Sequence, residues 1–115
     1  LKELHLERNE ISDAGAKAIA GSANFSYLNF INLWKNKVGA EGAKAIASST
    51  ILVNLKSLDL AQNNIGDEGA KALAESNPLA GLELLEIFGS GLTDEGKKQL
   101  KETTAFPKLQ TLVVE

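Results

Sequence analysis

The sequence predicts one α/β solenoid with five parallel strands and four helices, and two observations carry that prediction. An apolar pattern recurs every 27 residues without insertion, and its first position is Leu in every repeat. A solenoid needs about three or more stacked repeats to bury a continuous core, and the 115 residues hold four repeats and a partial fifth. We therefore treat residues 1–115 as a single domain, divided into repeats 1–27, 28–54, 55–81 and 82–108 and the partial repeat 109–115.

Each repeat opens on a predicted strand. Positions 1, 4 and 6 of the repeat are apolar, and the alternation over positions 4 to 6 is typical of a short strand. The crossovers between strands are of one length, so the strands run in one direction and pair as a parallel sheet. Position 9 holds Asn9, Asn36 and Asn63, whose amides can bond the backbone that turns out of the sheet. Ser90 interrupts this column, which predicts a differently bonded fourth turn.

A helix is predicted in the second half of each repeat. Small apolar residues recur at helical spacing, as at Ala16, Ile19 and Ala20. A glycine lies inside every helix at a cost of about 1 kcal/mol relative to Ala, which indicates close backbone packing at Gly15, Gly42, Gly69 and Gly96.

Charged residues complete the predicted helices. Asp13 precedes Lys17 by four residues, and this spacing recurs in the third and fourth helices, while a Glu precedes the Lys of the second helix by three. These spacings predict ion pairs along each helix. The fourth helix differs, because Lys97 and Lys101 replace the Ala of the other repeats. That replacement predicts a shift or partial exposure near the C-terminal end.

The chain resembles the ribonuclease-inhibitor-type leucine-rich repeat, most clearly in the helix start Asp-Glu-Gly-Ala-Lys-Ala-Leu-Ala of residues 67–74. The resemblance implies a horseshoe-shaped arc, with strands on the concave side and helices on the convex side, and crossovers of this kind are right-handed. Members of the family are mostly protein-binding modules, and a few, such as the Ran GTPase-activating protein, assist catalysis. The chain departs from the family pattern at Ser90, Lys97 and Lys101.

The concave face is the predicted binding surface. In this kind of repeat the side chains at positions 3, 5, 7 and 8 point away from the core, which places the only Trp of the chain on the solvent side. Clustered apolar residues outside a core mark binding surfaces, and Trp is enriched in binding hot spots. The alternative is a shifted strand that buries the Trp. The candidate protein-binding residues are Phe30, Trp34, Asp59, Leu84, Glu86 and Phe88.

Two carboxylates within this set raise the question of catalysis. Asp59 and Glu86 share position 5 on adjacent strands, about 5 Å apart, and such pairs can bind metals or transfer protons. With no third ligand and no enclosing loop, we expect solvated carboxylates or a site for a partner's Lys or Arg. His5 in the same column is also expected to be solvated. The sequence predicts no catalytic residue, metal or cofactor.

Composition restricts the partners. A net charge of −3 with one Arg argues against nucleic-acid binding, and no apolar run approaches the length of a membrane span. The absence of Cys favours a reducing compartment, so we expect a cytoplasmic protein.

The chain begins at the first residue of a repeat without Met, and we expect it to be a segment of a longer protein or a mature fragment.

Three functions compete. The leading hypothesis is a non-enzymatic module whose concave face binds another protein that presents an apolar anchor near basic residues. A GTPase-activating or other catalytic assistant is the rival, for which Arg8, Gln62 and Asn64 are the available polar groups. The third is a structural segment of a longer solenoid. Uncovered strands at both ends also predict end-to-end self-association.

Overall fold

The computed structural model describes all of residues 1–115 and confirms the predicted α/β architecture, with short strands and helices in strict alternation. The strands are β1 (Glu3–His5), β2 (Phe30–Asn32), β3 (Ser57–Asp59), β4 (Leu84–Glu86) and β5 (Thr111–Val113). The helices are α1 (Asp13–Gly21), α2 (Ala40–Ala47), α3 (Gly66–Ala74) and α4 (Asp94–Glu102), and a 3₁₀ turn (Ala23–Phe25) follows α1.

The strands form one parallel sheet in the order β1-β2-β3-β4-β5, and its register pairs residues that occupy the same position in successive repeats. Ile31, Leu58 and Leu85 at position 4 are fully buried in the core between sheet and helices. Their neighbours at positions 3 and 5 are partly exposed on β2, β3 and β4. The sheet therefore has one face covered by helices and one uncovered face, called here the open face, which carries positions 3, 5 and 7.

Close packing between helices explains the glycine column. A Cβ built on Gly42 would lie 2.7 Å from Asp13 Oδ1 and 3.0 Å from the Ala16 Cβ, and a Cβ on Gly69 would lie 3.1 Å from the Ala43 Cβ. Such distances leave no room for a side chain. The prediction of close backbone packing at these glycines is confirmed.

The ion pairs predicted between Asp13 and Lys17 and at the matching spacing in α3 and α4 do not form, whereas the pair predicted in α2 does, between Glu41 and Lys44 at 3.3 Å. Asp13 Oδ1 instead accepts hydrogen bonds from the N–H groups of Gly39 (2.7 Å) and Gly42 (2.9 Å), at the start of the next helix. Asp67 accepts in the same way from the Thr93 N–H at 2.9 Å. A carboxylate at a helix N-terminus satisfies free N–H groups and complements the helix dipole, so the preceding repeat caps α2 and α4.

The asparagine column works as predicted. Asn36 Nδ2 donates to the carbonyls of Leu6 (2.9 Å) and Leu33 (3.0 Å), while its Oδ1 accepts from the Ile11 N–H (3.0 Å). Asn36 and Asn63 therefore each tie one repeat to the repeat before it, whereas Asn9 bonds within its own repeat. Ser90 keeps part of this role, since its Oγ donates to the Leu60 carbonyl at 2.7 Å. The fourth turn is differently bonded, as the sequence predicted.

A third column of hydroxyl groups was not predicted. Ser49 Oγ donates to the Ala20 carbonyl and Ser76 Oγ to the Ala47 carbonyl, both at 2.6 Å. Thr103 Oγ1 makes the equivalent bond to the Ala74 carbonyl of α3. Each hydroxyl satisfies a carbonyl at the C-terminal end of the preceding helix, a group that has no partner within that helix.

The C-terminal end is partly exposed, as the lysine substitutions predicted. The side chains of Lys97 and Lys101 are 25% and 53% exposed and reach across to Glu115 Oε1, at 4.0 and 3.7 Å. None of the helices has both the length and the apolar character needed to cross a membrane.

Candidate functional site

The six predicted site residues lie on the open face of β2, β3 and β4 and the turns that follow, and all are partly exposed. The sheet register aligns Phe30 and Leu84 at position 3, one strand to either side of Ser57. Backbone bonds from Lys35 N–H to the Ala61 carbonyl and from Gln62 N–H to the Phe88 carbonyl continue the alignment beyond the strands. Trp34 and Phe88 are therefore aligned at position 7, with Ala61 between them.

Asp59 and Glu86 lie between these two apolar rows. They are direct register partners at position 5 of β3 and β4. The register thus gives a surface patch with carboxylates at its centre and apolar side chains above and below it. This open-face patch consists of Phe30, Trp34, Asp59, Leu84, Glu86 and Phe88.

Trp34 remains outside the core, so the strand shift considered as an alternative does not occur. Its indole ring has two cations of its own chain nearby: Arg8 Cζ lies 5.5 Å and Lys35 Nζ 5.8 Å from the ring centroid. Each such contact stabilises an exposed pair by about 0.5–1 kcal/mol. These contacts stabilise the position of the ring on the surface.

Phe30 is held in a similar way by β1. The His5 ring lies against it, with 4.7 Å between the ring centroids and 34° between the planes. His5 Nε2 is also 2.9 Å from Glu3 Oε1. His5 is half exposed, as the sequence predicted for a solvated imidazole, and it also contacts an aromatic ring of the patch.

The electrostatic environment of Asp59 is unusual for an aspartate. Burial, together with the negative charges of Glu86 and Glu7, raises its pKa to about 6, although the hydrogen bond from the Ala61 N–H opposes the rise. Glu7 also has a buried carboxylate oxygen, Oε1, that receives no hydrogen bond. Neither Asp59 nor Glu86 forms a salt bridge within the chain. The centre of the patch therefore carries negative charge that the chain does not balance.

Position 8 borders the patch and has a left-handed backbone. Arg8 and Lys35 have φ of 59°, Gln62 has φ of 55°, and Gly89 has φ of 64°. This conformation costs a residue with a Cβ about 1–2 kcal/mol, and such outliers concentrate at functional sites. Three repeats thus keep a long polar side chain where the fourth uses glycine. Gly89 at this position is a signal in the sequence for the left-handed turn, and the prediction did not include it.

The patch is a surface and not a cavity. The grooves of the molecule, from about 270 to about 510 Å³, lie among the helices, the connecting loops and the C-terminal end, and none is lined by a patch residue. No three His, Asp or Glu side chains converge in a way that would hold a metal ion. The arrangement suits contact with a broad surface.

A stack of 27-residue strand–helix units with one uncovered sheet face defines a repeat solenoid. The family model described as Leucine Rich repeat matches residues 1–20, 26–47 and 52–74, more than half of the chain. The chain therefore belongs to the leucine-rich-repeat family, whose members generally act as protein-interaction modules and are typically non-catalytic. The matched segments lie in the first three repeats, whereas Ser90, Lys97 and Lys101 lie outside them. No curated protein matches the chain.

Proposed function

We propose that the open-face patch binds another protein, without catalysis, and that Trp34 is the centre of the contact. The observation that carries the proposal is the combination of partly exposed aromatic side chains with two carboxylates that form no salt bridge with a Lys or Arg of the chain. Large aromatic residues dominate binding energy where a partner excludes water from them. The ribonuclease-inhibitor-type resemblance agrees with this use of the sheet, because it implies that the strands line the concave side.

The partner is expected to present an apolar anchor near Lys or Arg. Asp59 and Glu86 face each other across adjacent strands, and a cation placed between them would relieve their repulsion. The patch offers no enclosed cavity for a small molecule, which favours a protein surface over a metabolite. We also propose a cytoplasmic location, no cofactor and no nucleic-acid partner, the last because the net charge is −3.

The test is a capture experiment with matched baits. Wild-type chain, Trp34→Ala and Tyr27→Ala are used to capture proteins, and the bound proteins are identified by mass spectrometry. Tyr27 is a matched control because it is an exposed aromatic residue (75%) in the loop before β2, outside the patch. The affinity of each recovered partner is then measured by calorimetry, together with the thermal melting of each variant.

Trp34→Ala should weaken binding by about 2 kcal/mol or more, roughly 30-fold, while Tyr27→Ala should bind as the wild type does. Neutralising Asp59 and Glu86 should mainly slow association and reduce its salt dependence. Trp34→Ala should remain folded, because its side chain lies outside the core, and the neutralised variants should melt no lower than the wild type at neutral pH. Equal affinity in Trp34→Ala, or loss of folding in that variant, would remove Trp34 from the site.

A further inference from the structure

The apolar residues of the open-face patch form two rows that run across the strands. Trp34 and Phe88 lie on one row, after β2 and β4, and Phe30 and Leu84 lie on the other. Neighbouring strands of a sheet are about 4.8 Å apart, so the two members of each row are about 9.6 Å apart. Between Trp34 and Phe88 the row holds Ala61, which is fully buried and adds no exposed surface. A partner therefore meets two anchoring points in each row, separated by the width of two strands.

This spacing fits one face of an α-helix. Residues i and i+7 of a helix lie on the same face and are about 10.5 Å apart, at a rise of 1.5 Å per residue. Successive residues on one face of an extended strand are about 6.7 Å apart, and every second one is about 13 Å away. Neither strand distance matches the rows, whereas a helix that crosses the strands reaches both members of a row.

The backbone of the open face favours a helix for a second reason. β2, β3 and β4 each pair with a strand on both sides, so their N–H and C=O groups are bonded within the sheet. The bonds continue past the strands, as from the Leu60 N–H to the Glu86 carbonyl at 2.8 Å. An extended segment on this face would bury its own N–H and C=O groups without partners, which is costly. A helix satisfies these groups internally.

Asp59 lies where such a helix can present a cation. It is on β3, one strand or about 4.8 Å from the strand that leads to Trp34. Residues i+3 and i+4 of a helix lie about 4.5 and 6 Å along its axis from residue i, next to the same face. Asp59 Oδ1 accepts from the Ala61 N–H, which leaves Oδ2 for a partner, and Glu86 adds a negative charge one strand further on.

We propose that the open-face patch binds an amphipathic α-helix of the partner protein, which crosses β2, β3 and β4. Its apolar residues i and i+7 contact Trp34 and Phe88, and a Lys or Arg at i+3 or i+4 lies over Asp59. This inference rests on the proposed function, because it names the structural element that the same patch recognises. It also makes Phe88 the second anchor of the contact.

The test selects binders from two display libraries of equal diversity, with the full chain as bait. One library randomises the exposed face of a folded helix of about 16 residues, which holds the i to i+7 span with a turn on either side. The other library randomises an extended segment of the same length. The affinity of each recovered binder is then measured against the wild type, Trp34→Ala, Phe88→Ala and Asp59→Asn, with Tyr27→Ala as the control outside the patch.

The helix library should yield binders with two apolar residues seven apart and a Lys or Arg three or four residues after the first. Trp34→Ala and Phe88→Ala should each weaken such a binder about tenfold or more, and Tyr27→Ala should leave it unchanged. Replacing the Lys or Arg of the binder by Gln should weaken binding about fivefold on the wild-type chain. The same replacement should have little effect on Asp59→Asn, because both changes remove one shared contact.

Binders from the extended library alone would overturn the proposal, as would helical binders without that Lys or Arg, or recovery of no binder from either library. If extended binders are weakened by Trp34→Ala, the patch binds protein in another form, so the helix is refuted and the proposed function is supported. If the binders of both libraries are unaffected by Trp34→Ala and Phe88→Ala, the proposed function of the patch is refuted together with the helix.

Discussion

Removing the charge of Asp59 should stabilise the protein at neutral pH. Burial, followed by the charges of Glu86 and Glu7, raises the pKa of Asp59 to about 6, and only the Ala61 N–H opposes them. The folded state therefore holds the proton more tightly than the unfolded state, whose reference value is 3.8. The contribution of Asp59 to stability is complete below that value and is lost as pH rises through about 6.

The variant Asp59→Asn should keep the local structure. Asn32, the register partner of Asp59 on β2, already uses an amide in this position. Its Oδ1 accepts from the Trp34 N–H at 2.9 Å, the same distance at which Asp59 Oδ1 accepts from the Ala61 N–H. The substitution therefore removes a charge and leaves the hydrogen bond.

The pKa rise of about two units sets the size of the effect. Each unit corresponds to about 1.4 kcal/mol, but Asp59 is partly exposed and solvent screens its charge. We expect Asp59→Asn to gain about 1 kcal/mol at pH 7.5, after that discount. The gain should fall toward zero as the pH approaches 3.8.

Urea unfolding of both chains at several pH values between 4 and 8 measures this difference directly. The wild-type and Asp59→Asn curves should converge near pH 3.8, separate as the pH rises toward about 6, and keep a constant separation above that value. Ser57→Ala serves as the control, because it changes the same face of β3 without a titrating group, and its difference from the wild type should not vary with pH. A difference that is independent of pH in Asp59→Asn, or a loss of stability at pH 7.5, would refute the explanation.

Three further predictions concern the fold. Asp13→Ala should cost about 1 kcal/mol through loss of the cap on α2, as measured by urea unfolding, whereas Asp94→Ala, which breaks no side-chain hydrogen bond, should cost less than half of that. Gly42→Ala should destabilise by about 1–3 kcal/mol despite the better helix propensity of Ala, while Gly21→Ala, with open space around it, should be neutral or stabilising in thermal melts. Self-association through the uncovered edge of β1, beside Leu1 (71% exposed), should appear in light scattering as a concentration-dependent increase in mass that Leu1→Lys reduces; a monomer at all concentrations would contradict it.

The fold was predictable because the period determines it. A constant spacing of 27 residues places equivalent residues side by side, so one correct strand assignment gives the register of all five strands. The role of Asn36 also followed from the sequence, since a buried amide at a turn can satisfy both donors and acceptors of the backbone. The position of Trp34 on the open face followed from the same alternation.

Contacts between repeats were less predictable. Asp13 and Lys17 have the spacing of a helical ion pair, yet Asp13 bonds to two N–H groups of the next helix. A carboxylate gains more from free N–H groups at a helix end than from an exposed lysine, whose ion pair contributes little. The sequence spacing reports only on neighbours within one helix. The contact between Arg8 and Trp34 was missed for the same reason, since Arg8 comes from the preceding repeat.

The residues that hold the repeats together are nearly separate from those of the open-face patch. The columns that join repeats occupy positions 9, 13 and 22, as seen at Asn36, Asp13 and Ser49. The open-face patch uses positions 3, 5 and 7, and only position 5 also bonds the backbone, through Asp59. Because an amide at Asn32 performs that bond equally well, the charge at position 5 is not required by the fold. We therefore propose that the negative charge at the centre of the patch serves the binding of a partner.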